Sequence, residues 1–405
     1  MSAGTVTPPA VRVDAHQASP RADRCPDVFL PFVPGVNPAP SHIEYQRRVE
    51  VRAGVREQRM STFDPGQSWL REFPPTAFAM VMATGVVSIA AHLTGYDVAG
   101  WILLGINAVA WPVLLAITLC RLLRYPRAVH ADIVDHGRGP GFLTLVAATA
   151  VLGSQLSICH VLPQALPWLL GLAAGLWLVV AYTFLAAMTI GQRKPGLHAG
   201  LNGTWLLLVV ATESIAVLAT AVSPIHGASV PLDLLALAAW LLGGILYMML
   251  ITLIFYRWCF VPMRAADLTE PWWINMGAMA ITTFAGSRLI LATHNPAGWP
   301  GDGQLVLQIL TTGCWAMATF WIPLLAALFI EKHVIIGDPV RYTVAEWSVV
   351  FPLGMYSAAT YAYADAAHLP FLVNVARITV LIAFATWILA AIGLLRSALR
   401  SVNGK

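Results

Sequence analysis

The chain has 405 residues, 58% of them hydrophobic and only 11% charged, with a mean hydropathy of +0.70. Values so far from those of soluble domains exclude a soluble enzyme. The net charge of +4 sits almost wholly in loops, where it sets membrane topology and gives no support for nucleic-acid binding.

Residues 1–72 carry nine arginines, several prolines and one short apolar run, Val28 to Val33, a composition that predicts disorder. Met60, opening the short polar lead Met60-Ser61-Thr62-Phe63, is a candidate start of the chain. No charged n-region, short apolar core and A-x-A site opens the sequence, so no cleaved secretory signal is expected. Ten apolar stretches follow, each of about 20 residues and long enough to cross a ~30 Å hydrocarbon layer. They fall at about 74–93, 99–122, 141–160, 165–188, 201–222, 232–256, 272–293, 305–330, 347–364 and 371–395. Continuous apolar runs without two-residue alternation select helices over barrel strands. The expected organisation is an N-terminal segment 1–72, a ten-helix membrane domain 73–397 and a tail 398–405.

Every Lys and Arg except Arg288 and Arg377 lies in the N-terminal segment, in loops 2/3, 4/5, 6/7 and 8/9, or in the tail. The alternate loops hold none, which predicts cytoplasmic N- and C-termini in a multi-pass plasma-membrane protein. The cysteines Cys25, Cys120, Cys159, Cys259 and Cys314 form no CxxC pair and read as free, packed thiols.

The odd spans open on similar segments: Phe73-Pro74-Pro75-Thr76-Ala77-Phe78, Gly139-Pro140-Gly141-Phe142, Asn202-Gly203-Thr204-Trp205, Glu270-Pro271-Trp272-Trp273 and Ala345-Glu346-Trp347. Interfacial aromatics are common in membranes and account for part of this pattern. Polar residues, however, also favour the odd spans, so the chain reads as five helical hairpins in series. Thr84, Ser88 and Ala91 share one small face of span 1, suited either to lining a path or to helix packing. Thr149, Thr212, Glu213, Asn275, Thr282 and Ser357 are the further candidates for a polar path.

Three motifs carry a resemblance: Phe78-Ala79-Met80-Val81-Met82-Ala83-Thr84-Gly85-Val86-Val87-Ser88 in span 1, Pro271-Trp272-Trp273-Ile274-Asn275-Met276-Gly277-Ala278 in span 7, and Trp347-Ser348-Val349-Val350-Phe351-Pro352-Leu353-Gly354-Met355 in span 9. Together they resemble the tellurite-resistance/C4-dicarboxylate transporter family, which includes fungal malate carriers, sulfite exporters and the slow anion channels of plant guard cells. The resemblance covers roughly residues 73–397. It implies an all-α membrane fold of ten transmembrane helices, with five hairpins in a ring around a central pore, odd helices inside and even helices outside, and often a homotrimer. It also implies an occluding phenylalanine before a proline in span 9, which Phe351 and Pro352 match. Physically, Pro352 removes one backbone bond and bends the helix, and a large apolar ring blocks ions sterically and by dewetting. Packing or lipid contact is the alternative fate of such a ring.

Glu213 lies near the middle of a span, where a charge costs about 2.5 to 3.5 kcal/mol on insertion scales. Three readings stand open: a hydrogen-bonded acid, an ion pair with Arg288 or Arg377, or a proton carrier. Arg288 and Arg377 are also candidates for attracting anions to an outer vestibule. His92, His160, His294 and His368 have no partners at metal-ligand spacing, and His130, Asp132, Asp135 and His136 read as a solvated charged loop. No metal or cofactor is expected. HExxH, a paired intramembrane Asp set and a P-loop are all missing, which argues against an enzyme or an ATP-driven pump. The expected function is transport of a small anion across the lipid bilayer, C4-dicarboxylates such as malate first; the alternative is a channel or exporter for sulfite, chloride or nitrate without proton coupling.

Overall fold

The computed structural model describes residues 69–192, 194–227, 229–264, 267–292, 303–339 and 342–402. The expectations for residues 1–68, including Met60 and Cys25, and for Arg193, His294, Arg341 and the last three residues fall outside that set.

Ten long helices follow in chain order: α1 (Ala79–Thr94), α2 (Asp97–Arg124), α3 (Leu143–Ile158), α4 (Leu166–Ile190), α5 (Leu207–Val222), α6 (Val230–Phe260), α7 (Ile274–Ala292), α8 (Gly303–Ile330), α9 (Trp347–Ala366) and α10 (Leu372–Val402). Among the described residues, nine helical segments are long and apolar enough to cross a membrane. The one long helix outside that group is α9, whose tyrosines, serines, Pro352 and Asp365 dilute its apolar character. It is buried along almost its whole length, so protein rather than lipid is its solvent. The helix α10 runs on to Val402, well past the span expected to end near 395.

Each odd helix is entered through a 3₁₀ turn: Pro75–Phe78, Gly139–Phe142, Gly203–Leu206, Glu270–Trp273 and Val344–Glu346. Three of these turns carry proline at the first or second position, where a missing N–H costs nothing. In the other two a side chain caps the turn, Asn202 accepting from the Thr204 N–H and Thr343 from the Ala345 N–H. The repeat seen in the sequence is therefore a repeated structural start. At the far end of α1, Gly95 takes a left-handed φ of 91° that ends the helix, a conformation glycine adopts without strain.

Burial separates the two sets of helices. In the segments holding α1, α3, α5 and α7 between 78% and 94% of the apolar stretch is buried, against 17% to 39% in those holding α2, α4, α6, α8 and α10. The inner helices pack in succession, α1 on α3, α3 on α5, α5 on α7 and α7 on α9, and α9 packs back on α1. Each outer helix lies over two inner ones: α2 on α1 and α3, α4 on α3 and α5, α6 on α5 and α7, α8 on α7 and α9, α10 on α9 and α1.

A tryptophan fastens each outer helix to one of its two inner neighbours. The indole N–H of Trp111 donates to Thr149 Oγ1 at 3.1 Å, Trp177 to Thr212 Oγ1 at 2.8 Å, Trp240 to the Thr282 carbonyl at 2.9 Å, Trp315 to Thr360 Oγ1 at 3.1 Å and Trp387 to Thr84 Oγ1 at 2.9 Å. In every case the donor sits on an outer helix and the acceptor on the next inner one, with Trp387 of α10 reaching back to α1.

The loop after α2 corrects one expectation. Asp132 is buried, 2.6 Å from Arg121 and 2.7 Å from Arg138, and Arg121 also donates to the Arg71 carbonyl. A helix of eight residues, Pro126–Ile133, folds this loop back so that its acid meets arginines on both flanks. Spacing alone read Asp132 as part of a solvated charged loop with His130, Asp135 and His136, of which His130 and Asp135 are exposed.

Candidate functional site

The inner helices each have a face that meets outer helices and an opposite face that does not. On α9 the outward set is fixed by hydrogen bonds: Tyr356 to Thr319 at 2.9 Å, Ser357 to the Ala376 carbonyl at 2.7 Å, Thr360 from Trp315, and Tyr363 to Thr312 at 2.7 Å. With 3.6 residues per turn, Phe351, Ala358, Ala362 and Asp365 line the opposite face. On α7, Thr282 meets Glu213, and Gly286 lies against Thr311 and Trp240, so this side is outward. The opposite face carries Gly277, Ile281, Phe284 and Arg288 at spacings of four, three and four.

These two faces meet. A Cβ on Gly277 would stand 2.9 Å from Pro352 Cγ and 3.1 Å from Phe351 Cε1. Phe351 is completely buried, and the glycine gives its ring the room it occupies. By the same geometry the inward faces of α1, α3 and α5 carry Ala83 and Ala90, Ala147 and Ser154, and Val210, Ser214 and Val217. The hydroxyls of Ser154 and Ser214 donate to the Ala150 and Val210 carbonyls of their own helices. The inward surface is thus mostly apolar, broken by two serines and, at one end, by Arg288 and Asp365.

The polar residues singled out from the sequence lie elsewhere. Thr84, Thr149 and Thr212 accept from outer-helix tryptophans, Ser88 donates to the Gly100 carbonyl of α2 at 2.7 Å, and Ser357 donates to α10. Asn275, seven residues before Thr282 and so on the same outward side, is fully buried, and neither amide atom has a hydrogen-bond partner among the described residues. Glu213 and Thr282 sit where α5, α6 and α7 meet. Seven of these eight side chains hydrogen-bond to other helices of the bundle, Asn275 being the exception, as polar groups that face a neighbouring helix in a membrane commonly do.

The ion-pair reading of Glu213 also fails among the described residues. Its Oε1 lies 3.1 Å from Thr282 Oγ1, its Oε2 has no hydrogen-bond partner, and no Lys, Arg or His forms a salt bridge with it.

Arg288 and Arg377 part company. Arg288 is half-buried on the inward face of α7 and feels the field of Asp365, on the inward face of α9. Arg377 is exposed on α10, an outer helix. His92 bonds Asp97 at 3.1 Å beside Trp101, whereas His160 and His368 are exposed at helix ends. Among the described residues no group of three His, Cys, Asp or Glu could hold a metal ion.

At the other end of the same two helices, Glu270 opens the turn into α7 and Glu346 precedes α9. Lys332, after α8, reaches Glu270 at 2.7 Å and Asp338 at 4.0 Å. Burial and the neighbouring Glu270 push the Glu346 carboxyl up to about 7, against the opposing pull of Lys332 and His333. The spacing of these residues gave no sign of this cluster, because its members come from three separate segments.

The chain is 37% identical, over 37% of its length and 75% of theirs, to two uncharacterised membrane proteins from strains of Mycobacterium tuberculosis. It is 21% identical over 73% of its length to an uncharacterised transporter of Methanocaldococcus jannaschii, covering 86% of that protein. The profile of the SLAC1 family, described as voltage-dependent anion channels, matches residues 72–395, from the turn before α1 into the last turns of α10. The chain therefore belongs to the SLAC1 family, the tellurite-resistance/C4-dicarboxylate transporter group of membrane transporters and anion channels.

Proposed function

We propose that the protein conducts small anions along the inward faces of its five inner helices, with Phe351, seated on Gly277 beside Pro352, as the gate. The contact between Phe351 and Gly277 carries this reading. It joins the inward faces of α7 and α9, and a fully buried aromatic ring there obstructs the passage of a hydrated ion. Beyond the ring, Arg288 supplies positive potential at the end of α7 where an anion would arrive or leave. In this reading all ten helices cross the plasma membrane around one pore per chain, both termini are cytoplasmic, and chains assemble as homotrimers.

For the anion itself, the inward faces favour small inorganic species. Among the described residues Arg288 is the single cation on them, and Arg377, the other cation within a span, is exposed on an outer helix. Transport of C4-dicarboxylates such as malate is the second reading, supported by the family and by the serines Ser154 and Ser214 on the inward surface. Flux of chloride, sulfite and malate into proteoliposomes separates the two. Chloride or sulfite flux that follows voltage and concentration supports the channel. Malate flux that saturates and competes with succinate supports the carrier, and no flux of any of the three removes the reading.

A further inference from the structure

Glu213 is fully buried at the junction of α5, α6 and α7. The junction is shaped for it: a Cβ on Gly243 of α6 would stand 2.6 Å from the Glu213 carboxyl carbon. Its only hydrogen-bond partner among the described residues is the Thr282 hydroxyl. That hydroxyl has one hydrogen and two oxygens within reach, the Ala278 carbonyl at 2.9 Å and Glu213 Oε1 at 3.1 Å. The nearer is the carbonyl one turn back, the habitual partner of a helical threonine. With the hydroxyl hydrogen placed there, a hydrogen on the carboxyl completes the contact to Glu213, whereas an ionised carboxylate would have to share the hydrogen already given to Ala278.

The surroundings agree. The outer helix α6 sets Gly243 against the carboxyl with Tyr247 one turn further on, α7 presents Thr282, and α8 brings Cys314 within electrostatic reach. Tyr247 and Cys314 are the titratable groups of that set, and neither is a cation. An ionised carboxylate would stand there uncompensated, at the cost such charges carry in a membrane interior.

We propose that Glu213 is a proton-binding site and that its proton controls the anion path. Proton loss sets a bare charge between α5 and α7, and α7 is the helix that holds Gly277 against Phe351 and carries Arg288. The control step rests on the anion-path reading of the previous section; the proton site does not.

Two measurements on the full-length protein in lipid test the two parts separately. The infrared difference between wild type and Glu213→Gln at neutral pH should contain the carbonyl stretch of a protonated carboxyl, and that band should move in Thr282→Val but not in Thr282→Ser. Absence of the band overturns the proton site. The threonine pair decides the matter even where Glu213→Gln does not accumulate, since a band unmoved in Thr282→Val also overturns it. In proteoliposomes, chloride flux through wild type should rise as pH rises. Glu213→Gln, whose amide can donate to Thr282 as the protonated acid does, should hold flux at its low value at every pH. A rise that persists in Glu213→Gln, or a wild-type flux that is flat with pH, overturns the control step. No chloride, sulfite or malate flux in wild type removes the anion path while the infrared result still stands.

Discussion

Gly277 on α7 and Phe351 on α9 meet so closely that one methyl group on residue 277 would lie 3.1 Å from the ring and 2.9 Å from Pro352. Two inner helices are thus keyed to each other beside the ring proposed as the gate. Phe351→Ala removes the ring and should raise anion flux several-fold in proteoliposomes, with the protein still folded. An unchanged flux would take Phe351 out of the gate. Gly277→Ala should act in the opposite sense to any loosening: the ring must shift or α7 must move, at a cost of about 1 to 3 kcal/mol for overpacking, read as a lower Tm.

The five indole links predict a stability effect without a transport effect. Trp387→Phe keeps the ring and deletes the donor to Thr84, so it should cost about 0.6 kcal/mol, the average for interhelical hydrogen bonds in membranes. Thr84→Val should cost a similar amount, and the double variant should cost little more than either single one, because both delete one bond. Additive losses in thermal unfolding would show that the two residues do not act on each other.

Arg288→Gln should lower anion flux and shift the salt dependence of what remains, since it removes the inward-facing cation. Arg377→Gln, exposed on α10, serves as the control and should leave flux near wild type. Equal losses in the two variants would contradict the placement of the attracting charge on α7.

Glu346 predicts a pH dependence of stability near neutrality. Its folded-state value of about 7 lies above the ordinary 4.5, so between those values the folded chain binds more protons than the unfolded one. Stability should therefore be highest below about 5 as far as this group is concerned, and fall as pH rises through 7 and the buried carboxyl ionises beside Glu270. Glu346→Gln should flatten that part of the Tm profile in detergent; an unchanged slope between pH 5 and 8 would assign the effect to another group.

Much of the fold follows from composition and spacing. The apolar runs fix helices because no other open structure satisfies its backbone in lipid, and the Pro-and-aromatic starts mark the five inner helices because each must turn from an interface into the bundle. The buried position of Glu213 was equally legible, since a carboxylate in mid-span has to find protein. Its partner was not: Thr282 and Gly243 lie on helices separated from it by long stretches of chain.

What the sequence could not decide is which way each inner helix faces. Thr84 and Ser88 fall on one side of α1 by spacing, yet α1 is buried all round, because its neighbours are outer helices on one side and other inner helices on the other. Hydrophobic periodicity distinguishes inside from outside only when one side is wet, and here neither is. The orientation was decided by tertiary contacts: Trp387 reaching Thr84, Trp111 reaching Thr149, and Gly277 leaving space for Phe351. Those contacts turned Thr84, Thr149 and Thr212 outward and left the small apolar faces, two serines, Arg288 and Phe351 on the inside.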